Sequence, residues 1–494
     1  LQTMGGATHG GEIEITGGTL NGDIVLTDSQ EGAKLTITTE NAAVNGNMTN
    51  SGAADVEITA GATVSGQVSN SDTGTMSVLN STVGSVPENT TAESIAIVSS
   101  YVDGVLTTNT AETAAAMVGG KTYDTLNAAI EAVGDGDTIY ILRDIDDATG
   151  ISVPSNSNFT IDFGGFTYTL TGPGAGSTNT ETNGFQLLRD STITFKNGTI
   201  RIAENANNIK RIIQNYADLT LEDMHIYAEN QVDGEELTLS LNCGSIVFKG
   251  ETDIITTSPD TVAFDIYYWK DAYEAGTSVT FDESYTGTIN GKILYDSTSE
   301  DKASLTIKGD GTFGIIETTS TSTQNPNIEV TSGHFAQALP EDYLAETVKA
   351  QLESASNPEA PFSYYPSVEE ALAAAQPGDK VTEVNTETPG ATKYTVTLDY
   401  NDGETENSVY TVTENTPITL PTPTRDNYNF AGWFDGDTQV SSPYTATGNV
   451  TLTAHWDAIS TGGSVTRYTV TVEDADNGSV KSSVARASRG TTVT

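Results

Sequence analysis

Residues 56–68 have the sequence VEITAGATVSGQV, which contains the characteristic pattern of one repeat unit. Val56 and Ile58 flank a polar residue, a turn follows, and Val64 lies two residues before Gly66. Similar alternations recur roughly every 20 residues, a period that is typical of stacked repeat architectures. They begin at Ile13, Leu35, Val56, Met76 and Ile95.

Each unit predicts a short strand, a tight bend and a second strand. Period-2 alternation gives a strand with one buried face, and glycine permits the bend. A unit of about 20 residues cannot bury its own apolar face, so neighbouring units must stack. We therefore predict that 1–110 is a parallel β-solenoid of about five coils. Tyr101 is the only aromatic residue in this segment, so its core must be aliphatic. An antiparallel β-sandwich with regular turns is the alternative.

A short amphipathic helix that leads into a strand occurs twice in the chain. Residues 123–142 have the sequence YDTLNAAIEAVGDGDTIYIL, and the apolar spacing predicts a helix over about 123–134 with Thr125 as its N-cap. Residues 365–381 have the sequence YPSVEEALAAAQPGDKV, which predicts a helix over about 367–376. Ser367 and Glu370 have capping-box spacing there. Such a helix can cover the open end of a solenoid.

The first copy resembles the N-terminal cap of right-handed β-helix proteins of the pectate-lyase-like type. That resemblance implies a β-helix over 111–345, with irregular coils and inserted loops. The second copy lies in a connector, 346–390; either it has no coils of its own or it packs against the end of the β-helix. The residues that carry the resemblance are Leu126, Ala129, Ile130, Gly136, Asp137, Ile139 and Leu142.

The charge and composition exclude several classes of partner. The formal net charge is −46, so there is no basic surface for nucleic acid or for an anionic membrane. No stretch approaches the roughly 20 apolar residues of a membrane helix, so we expect no membrane insertion of this fragment. The single cysteine, Cys243, excludes an internal disulfide. The sequence starts at Leu1 without a signal-peptide pattern, and we expect it to be a piece of a longer protein.

Residues 394–456 carry the most specific motifs. They include YTVTL from Tyr394, LP at Leu420, GW at Gly432 and LTAHW from Leu452. This segment resembles the Listeria–Bacteroides repeat, also called the internalin B-repeat, although Asn401-Asp402-Gly403 replaces the usual Asn-Gly-Gly. The resemblance implies a small β-grasp-like module over 391–457, of a kind found as stalk units in bacterial surface proteins. Residues 458–494 resemble the opening half of a divergent relative, truncated.

No catalytic or cofactor site is predicted. Three groups of charged residues are candidates for a lyase or hydrolase site, and a solvated surface explains each of them. Calcium at the acidic loop 134–137 is the one metal alternative, because acidic loops supply oxygen ligands. The three groups are the strand pair Asp223 and His225, the pair Arg189 and Asp190, and the cluster Asp144, Asp146 and Asp147.

One aromatic cluster is a candidate glycan platform. Its rings could stack on sugars as a flat surface, or they could pack a loop against the β-helix. The cluster consists of Tyr267, Tyr268, Trp269 and Tyr273.

The sequence therefore predicts an all-β protein: a parallel β-solenoid, then a right-handed β-helix, then small β-grasp-like repeat modules. We expect a non-catalytic, extracellular, adhesin-like protein of a Gram-positive bacterial cell surface. Its β-helix would be the interaction surface, its partner a host or microbial surface glycan or protein, and its repeats a stalk. The main alternative is a polysaccharide lyase, a hydrolase or a glycan-binding module on the β-helix at 123–340. A purely structural envelope protein is the third alternative.

Overall fold

The protein is nearly all β. Its computed structural model contains many strands, two short α-helices and one 3-10 turn among the described residues, and no helix there is long and apolar enough to cross a membrane. The predictions for Cys243, Trp269 and Tyr273, and for most of 458–494, lie outside those residues. The described residues are 11–27, 33–71, 73–88, 90–110, 113–177, 181–206, 208–228, 238–242, 244–268, 276–297, 302–319, 326–385, 391–459, 467–471, 484, 486–488 and 491.

The chain forms two compact units, Leu1–Ile328 and Glu329–Thr494. The first unit begins with thirteen short strands. They are β1 (Glu12–Ile15), β2 (Gly18–Asn21), β3 (Ile24–Leu26), β4 (Lys34–Ile37), β5 (Ala42–Asn45), β6 (Met48–Asn50), β7 (Asp55–Ile58), β8 (Thr63–Asn70), β9 (Met76–Leu79), β10 (Thr82–Ser85), β11 (Ala96–Val98), β12 (Ser100–Val102) and β13 (Val105–Thr107).

These strands form parallel rows, and the alternations seen in the sequence set their register. One row is β1-β4-β7-β9-β11, and a second contains β2, β5, β8, β10 and β12. The row alignment is the one predicted, so the antiparallel sandwich is wrong for this segment; β12–β13 is its one antiparallel pair among the described strands. The first row aligns Ile13, Leu35, Val56 and Met76.

The core of this segment is aliphatic, as predicted. Buried Ile, Leu, Val, Met and Ala side chains fill it, and Tyr101 lies outside with half of its surface exposed. Asn50 is fully buried at a turn, where its Nδ2 donates to the Ala54 carbonyl (2.7 Å) and to Asn70 Oδ1 (3.0 Å). Asn70 donates in turn to the Gly74 carbonyl (2.8 Å). The side-chain amides of Asn50 and Asn70, here called the amide ladder, thus supply hydrogen bonds to carbonyl groups in successive turns.

The rest of the first unit has one helix and twenty-one strands. They are β14 (Ala116–Val118), β15 (Lys121–Tyr123), α1 (Leu126–Ala132), β16 (Asp137–Ile141), β17 (Ile145–Ala148), β18 (Ile151–Val153), β19 (Asn158–Asp162), β20 (Thr167–Leu170), β21 (Asn183–Leu187), β22 (Thr192–Ile202), β23 (Arg211–Asn215), β24 (Asp218–Tyr227), β25 (Leu239–Asn242), β26 (Ser245–Lys249), β27 (Asp253–Ile255), β28 (Val262–Tyr267), β29 (Thr277–Phe281), β30 (Thr288–Ile289), β31 (Lys292–Asp296), β32 (Ala303–Ile307), β33 (Thr312–Phe313) and β34 (Ile316–Thr318).

The chain passes through three parallel rows in a fixed order. Row A contains β16, β19, the first halves of β22 and β24, β26, β29 and β32. Row B contains β17, β20, the second halves of β22 and β24, β27, β30 and β33. Row C contains β18, β21, β23, β25, β28, β31 and β34.

Aromatic side chains fill the interior between these rows. The rings of Phe248 and Phe281 stack with centroids 4.4 Å apart, and Tyr285 meets Phe281 edge-on at 4.7 Å. Both phenylalanines and Tyr285 are fully buried. Such ring contacts contribute stability beyond that from the apolar area that each ring removes from water.

Residues in the left-handed backbone conformation form the bend between rows A and B. Asn197, Asp223 and Gly250 occupy this bend in successive passes of the chain, with φ of 58°, 51° and 57°. Asn and Asp tolerate this conformation better than other side chains do, because they hydrogen-bond locally. Asp223 Oδ1 accepts a hydrogen bond from the Glu251 amide at 2.9 Å.

The first cap helix forms where it is predicted, with shorter bounds. Thr125 is its N-cap and accepts a hydrogen bond from the Ala128 amide at 3.2 Å. Leu126, Ala129 and Ile130 are its buried residues. The helix ends at Ala132.

The second unit contains a 3-10 turn, one α-helix and fourteen strands among its described residues. They are β35 (Ile328–Val330), β36 (His334–Phe335), η1 (Glu341–Tyr343), β37 (Ala350–Glu353), β38 (Phe362–Tyr365), α2 (Val368–Ala374), β39 (Lys380–Glu383), β40 (Lys393–Asp399), β41 (Ser408–Thr413), β42 (Pro417–Ile418), β43 (Tyr428–Asp435), β44 (Thr438–Gln439), β45 (Tyr444–Thr445), β46 (Val450–Ala458), β47 (Arg467–Thr469) and β48 (Arg486–Ser488).

The connector and the C-terminal module share one sheet and one core. Strand β39 pairs in parallel with β41, which places Val381 beside Tyr410. Val368 and Ala371 of α2 belong to the same buried cluster as Trp433 and Leu452 of the module. The second cap-like helix therefore packs with the C-terminal module. The sequence offered two other arrangements for it and not this one.

Candidate functional site

Row C presents a line of polar residues on its outer face, here called the polar line. Inward neighbours such as Phe185 and Leu187 are fully buried, so the residues between them point outward. The register sets the members of the polar line in sequence across seven strands. Six of them are polar, namely Ser152, Gln186, Gln214, Ser240, Asp265 and Glu317, and Leu294 interrupts the line between the last two.

The middle of the polar line is buried although it lies on an outer face. Gln214, Ser240 and Asp265 are exposed by 6%, 3% and 8% of their surface. The Nε2 atom of Gln214 has no hydrogen-bond partner among the described residues. A buried donor without a partner costs about 1–3 kcal/mol of stability.

Tyr267 ends strand β28 on the same face, two residues after Asp265. The residue is 38% exposed, and the backbone register pairs it with residue 242 on one side and residue 296 on the other. Tyr268 follows the strand end and is half-buried. A phenol ring with a carboxylate residue at the next register position offers a stacking face together with a hydrogen-bonding group, which is chemistry that a sugar needs.

The predicted platform is thus only partly described. Tyr267 is exposed and Tyr268 lies next to it, whereas Trp269 and Tyr273 lie outside the described residues. The sequence did not single out Gln214 or Asp265. The available signal was a polar residue inside an otherwise apolar strand, as in VAFDIY at 262–267.

The structure separates Asp223 from His225 and gives His225 another partner. Asp223 lies in the bend, whereas His225 Nδ1 lies 2.8 Å from Asp253 Oδ2. Asp253 Oδ1 also accepts the Thr288 amide at 2.7 Å, so this carboxylate orients the imidazole from a fixed position. The two residues belong to neighbouring passes of the chain, and no local sequence signal joins them.

The other acidic candidates serve turns and surface pairs. Arg189 and Asp190 form an exposed pair with Nε and Oδ2 3.8 Å apart. Asp144 Oδ1 accepts the Thr167 amide at 2.8 Å, and Asp146 and Asp147 lie exposed on β17. A surface pair of this kind contributes little to stability.

The loop considered for calcium uses its carboxylates to close turns. Asp137 Oδ2 accepts the Gly134 amide at 3.1 Å, and Asp135 Oδ1 accepts Asn158 Nδ2 at 2.9 Å. In the second copy, Asp379 Oδ2 accepts the Gln376 amide at 2.7 Å, as Asp137 does in the first. Within the described residues, no three His, Cys, Asp or Glu side chains are grouped so that they could hold a metal ion.

A cavity of about 220 Å³ lies beside the start of α1. Asp124, Asp147 and Arg143 line it together with Tyr168. Burial, and then the negative charge of Asp147, raise the pKa of the Tyr168 phenol far above its ordinary value, so the phenol is neutral. Arg143 Nη1 donates to the Asp144 carbonyl at 2.9 Å, which anchors the guanidinium at the cavity wall.

The motif residues of the C-terminal module hold its own fold together. Trp433 Nε1 donates to the Pro421 carbonyl at 2.7 Å, and Trp456 Nε1 donates to the Tyr400 carbonyl at 2.8 Å. The Arg425 guanidinium lies 4.2 Å from the centre of the Tyr428 ring. These residues therefore specify packing, with cation–π and buried indole contacts.

Comparison with known proteins bears on this module alone. A family model described as the Listeria-Bacteroides repeat domain matches residues 394–455. Neither curated proteins nor solved structures give a significant match to the chain. Residues 394–455 therefore form a Listeria-Bacteroides repeat domain.

Proposed function

We propose that this protein is a non-catalytic, adhesin-like protein of a bacterial cell surface, with an internalin B-type repeat as part of its stalk. The match of 394–455 to a repeat domain that occurs in extracellular surface proteins carries this proposal. A net charge of −46 is consistent with an extracellular role, since it disfavours nucleic acid and anionic membranes as partners. We further propose that the source is a Gram-positive bacterium.

The fold proposed for the first unit is a β-solenoid followed by a pectate-lyase-like right-handed β-helix. The observation that supports it is the fixed order in which the chain passes through rows A, B and C before it returns to row A one strand further along. Parallel strands joined by crossovers are right-handed in nearly all known cases. Helix α1, next to the first pass, has the position of an end cap.

The proposed binding surface is the outer face of row C around Tyr267, and the proposed ligand is a surface glycan. Two features support this choice: the exposed Tyr267 and the acidic residue Asp296 at the next register position. Aromatic stacking with adjacent hydrogen-bonding groups gives both affinity and orientation for a sugar.

A glycan array probed with the full chain tests this proposal. Tyr267→Ala should weaken binding to any retained glycan by up to about tenfold, because it removes a stacking contact. Tyr101→Ala is the matched control, since Tyr101 is an exposed tyrosine on the first segment. Equal binding by Tyr267→Ala and wild type would remove row C from the proposal. Binding of no glycan, with binding to cells, would make the partner a protein.

The alternative is a polysaccharide lyase or hydrolase that uses the cavity beside α1. The observation that favours it is the presence of Asp124, Asp147 and Arg143 at one cavity, since glycosidases use paired carboxylates. A turnover screen on polysaccharides distinguishes the two. Activity that Asp147→Asn abolishes would overturn the non-catalytic proposal, and absence of turnover across the screen supports it.

A further inference from the structure

The first and last strands of the Listeria-Bacteroides repeat domain lie side by side. These are β40 and β46, and they pair in parallel. Their register runs from Val396 opposite Val450 to Asp399 opposite Thr453. The chain therefore enters β40 at one end of this pair and leaves β46 at the opposite end.

Opposite forces on the two ends of this domain load the β40–β46 pair in shear. Tension pulls β40 toward its start and β46 toward its end, so the two strands separate only by sliding along each other. The evenly spaced hydrogen bonds of the parallel pair then carry the load together. In an antiparallel hairpin the two ends lie at one side, and the same tension opens the hydrogen bonds one after another.

Three side-chain hydrogen bonds extend this pair beyond its backbone register. The parallel pair and these three bonds are here called the clamp. One bond lies before the register begins, where Asn449 Oδ1 accepts the Thr395 amide at 2.9 Å. The other two lie at its far end, and they run from Asn401 Nδ2 to the Ala454 carbonyl (3.1 Å) and from Trp456 Nε1 to the Tyr400 carbonyl (2.8 Å).

The apolar core opposes the same sliding movement. Val396 and Leu398 of β40, and Leu452 and Ala454 of β46, are fully buried in one cluster. A slide of β46 along β40 takes Leu452 and Ala454 out of their packed positions and exposes apolar surface, which is unfavourable. Hydrogen bonds and core packing therefore resist one and the same displacement.

The connector keeps this direction of load. Successive pairings lead from β36 through β38, β37, β39, β41 and β40 to β46. Four of these six pairings are antiparallel and two are parallel, so β36, β40 and β46 all run in the same direction. Tension that enters at the start of β36 therefore also pulls against the end of β46 along the strand direction.

We propose that the Listeria-Bacteroides repeat domain bears tension along the chain, and that the clamp is the element that resists it. This inference rests on the proposed role of the domain as a stalk unit. A stalk between a cell and a bound ligand is pulled at both of its ends. Forced unfolding is governed by the unfolding rate, so a pair loaded in shear prolongs the lifetime of the folded stalk under load.

Single-molecule force spectroscopy of the full chain, with two pairs of attachment points, tests the proposal. In a Cys243→Ser background, Thr392→Cys with Ala458→Cys loads the clamp in shear. Thr392→Cys with Glu414→Cys instead unzips β40 from β41, because the Glu414 amide donates to the Thr392 carbonyl at 2.8 Å. All three attachment positions are exposed. The shear geometry should need at least about twofold more force, since its hydrogen bonds break together.

Substitutions at the ends of the clamp provide a second measurement. Asn449→Ala removes one end bond, so it should lower the rupture force by roughly 10–20% in the shear geometry and leave the unzipping force unchanged. Asn401→Gly keeps the left-handed backbone, with φ of 48°, and removes a bond at the other end. Combined with Asn449→Ala, it should lower the shear force further. Asn407→Ala, at an exposed asparagine between β40 and β41, is the matched control and should change neither force.

The rupture events are identified by length, and each outcome decides for or against the clamp. Unfolding between positions 392 and 458 lengthens the tether by up to roughly 240 Å, at about 3.6 Å per residue. Equal rupture forces in the two geometries overturn the proposal. So does a double variant that keeps the wild-type shear force, or an Asn449→Ala variant that weakens both geometries alike. The measurement needs no ligand, so its failure and the failure of glycan binding are separate results.

Discussion

The Tyr140 hydroxyl donates a hydrogen bond of 3.0 Å to Glu57 Oε2, which joins two segments of the first unit that are far apart in sequence. Both residues are buried, and Lys34 Nζ lies 3.6 Å from the same carboxylate oxygen. Around them, Ala96 of β11 and Met117 of β14 belong to one buried cluster. The outer face of the first row thus packs against the start of the second segment through an apolar patch with one buried carboxylate.

The first prediction concerns the pH dependence of this contact. Burial raises the pKa of the Glu57 carboxyl above its ordinary value of 4.5, against the opposing charge of Lys34. The folded state then holds a proton that the unfolded state releases, so the free energy of unfolding falls as pH rises above 4.5. Glu57→Gln removes the charge and keeps an acceptor for Tyr140. We expect the free energy of unfolding of this variant, measured from urea unfolding curves at several pH values, to decrease less with rising pH than that of the wild type.

The control for this prediction is Glu14→Gln. Glu14 lies on the same row but is exposed, so its removal should leave the pH dependence of unfolding unchanged. Equal pH dependence in wild type and Glu57→Gln would show that the Glu57 carboxyl does not have a raised pKa. Tyr140→Phe should cost about 1–3 kcal/mol at neutral pH, because a buried carboxylate loses a donor.

The second prediction concerns the amide ladder in the first segment. Asn50→Ala leaves the Ala54 carbonyl and Asn70 Oδ1 without their donor, so it should lower the free energy of unfolding by about 1–3 kcal/mol. Asn45→Ala is the matched control, since Asn45 makes an exposed bond to Asn21. Its cost should stay within about 0.5 kcal/mol. Equal costs in chemical denaturation would mean that the buried ladder has no special role.

The third prediction concerns the bend between rows A and B. Gly250 has φ of 57°, and a Cβ atom there would collide with the Asp223 carboxylate. Gly165 has φ of 81° with open space around it. Gly165→Ala should therefore cost only backbone strain of about 1–2 kcal/mol, and Gly250→Ala should cost more. The thermal unfolding midpoints of the two variants show which substitution costs more stability.

A double variant separates the collision from the strain. Asp223→Ala with Gly250→Ala should cost less than the sum of the two single variants, because the colliding carboxylate is gone. Strict additivity would argue against the stacking of Asp223 on Gly250.

The fourth prediction concerns the helix α2. Ala371 is fully buried in the core shared with the C-terminal module. Ala371→Asp buries a charge there, so it should lower the free energy of unfolding of the module by several kcal/mol. Ala374→Asp is the matched control on the exposed side of the same helix. The tryptophan fluorescence of Trp433 and Trp456 reports this transition. A module that unfolds identically in both variants would be independent of the connector.

Much of the fold follows from local sequence periodicity. The rows of the first segment have the register that the apolar alternation predicts, because a slip of one residue would turn the buried face outward. Thr125 and Ser367 cap their helices as predicted, since an N-cap needs only a side-chain oxygen near the next amides. The Listeria-Bacteroides repeat domain was identified for the same reason: its motif residues contact one another within 394–455.

Tertiary structure alone decided the contacts between distant elements. The pairing of His225 with Asp253 and the bond from Tyr140 to Glu57 both depend on which residues the folded chain brings together. The intervening loops vary in length, so spacing along the chain does not reveal these neighbours. The second cap-like helix shows the same principle. Its sequence determined a helix with one apolar face. Only the packed structure decided that the C-terminal module covers that face. The hydrophobic effect is non-directional, so an apolar face does not specify which part of the chain will cover it.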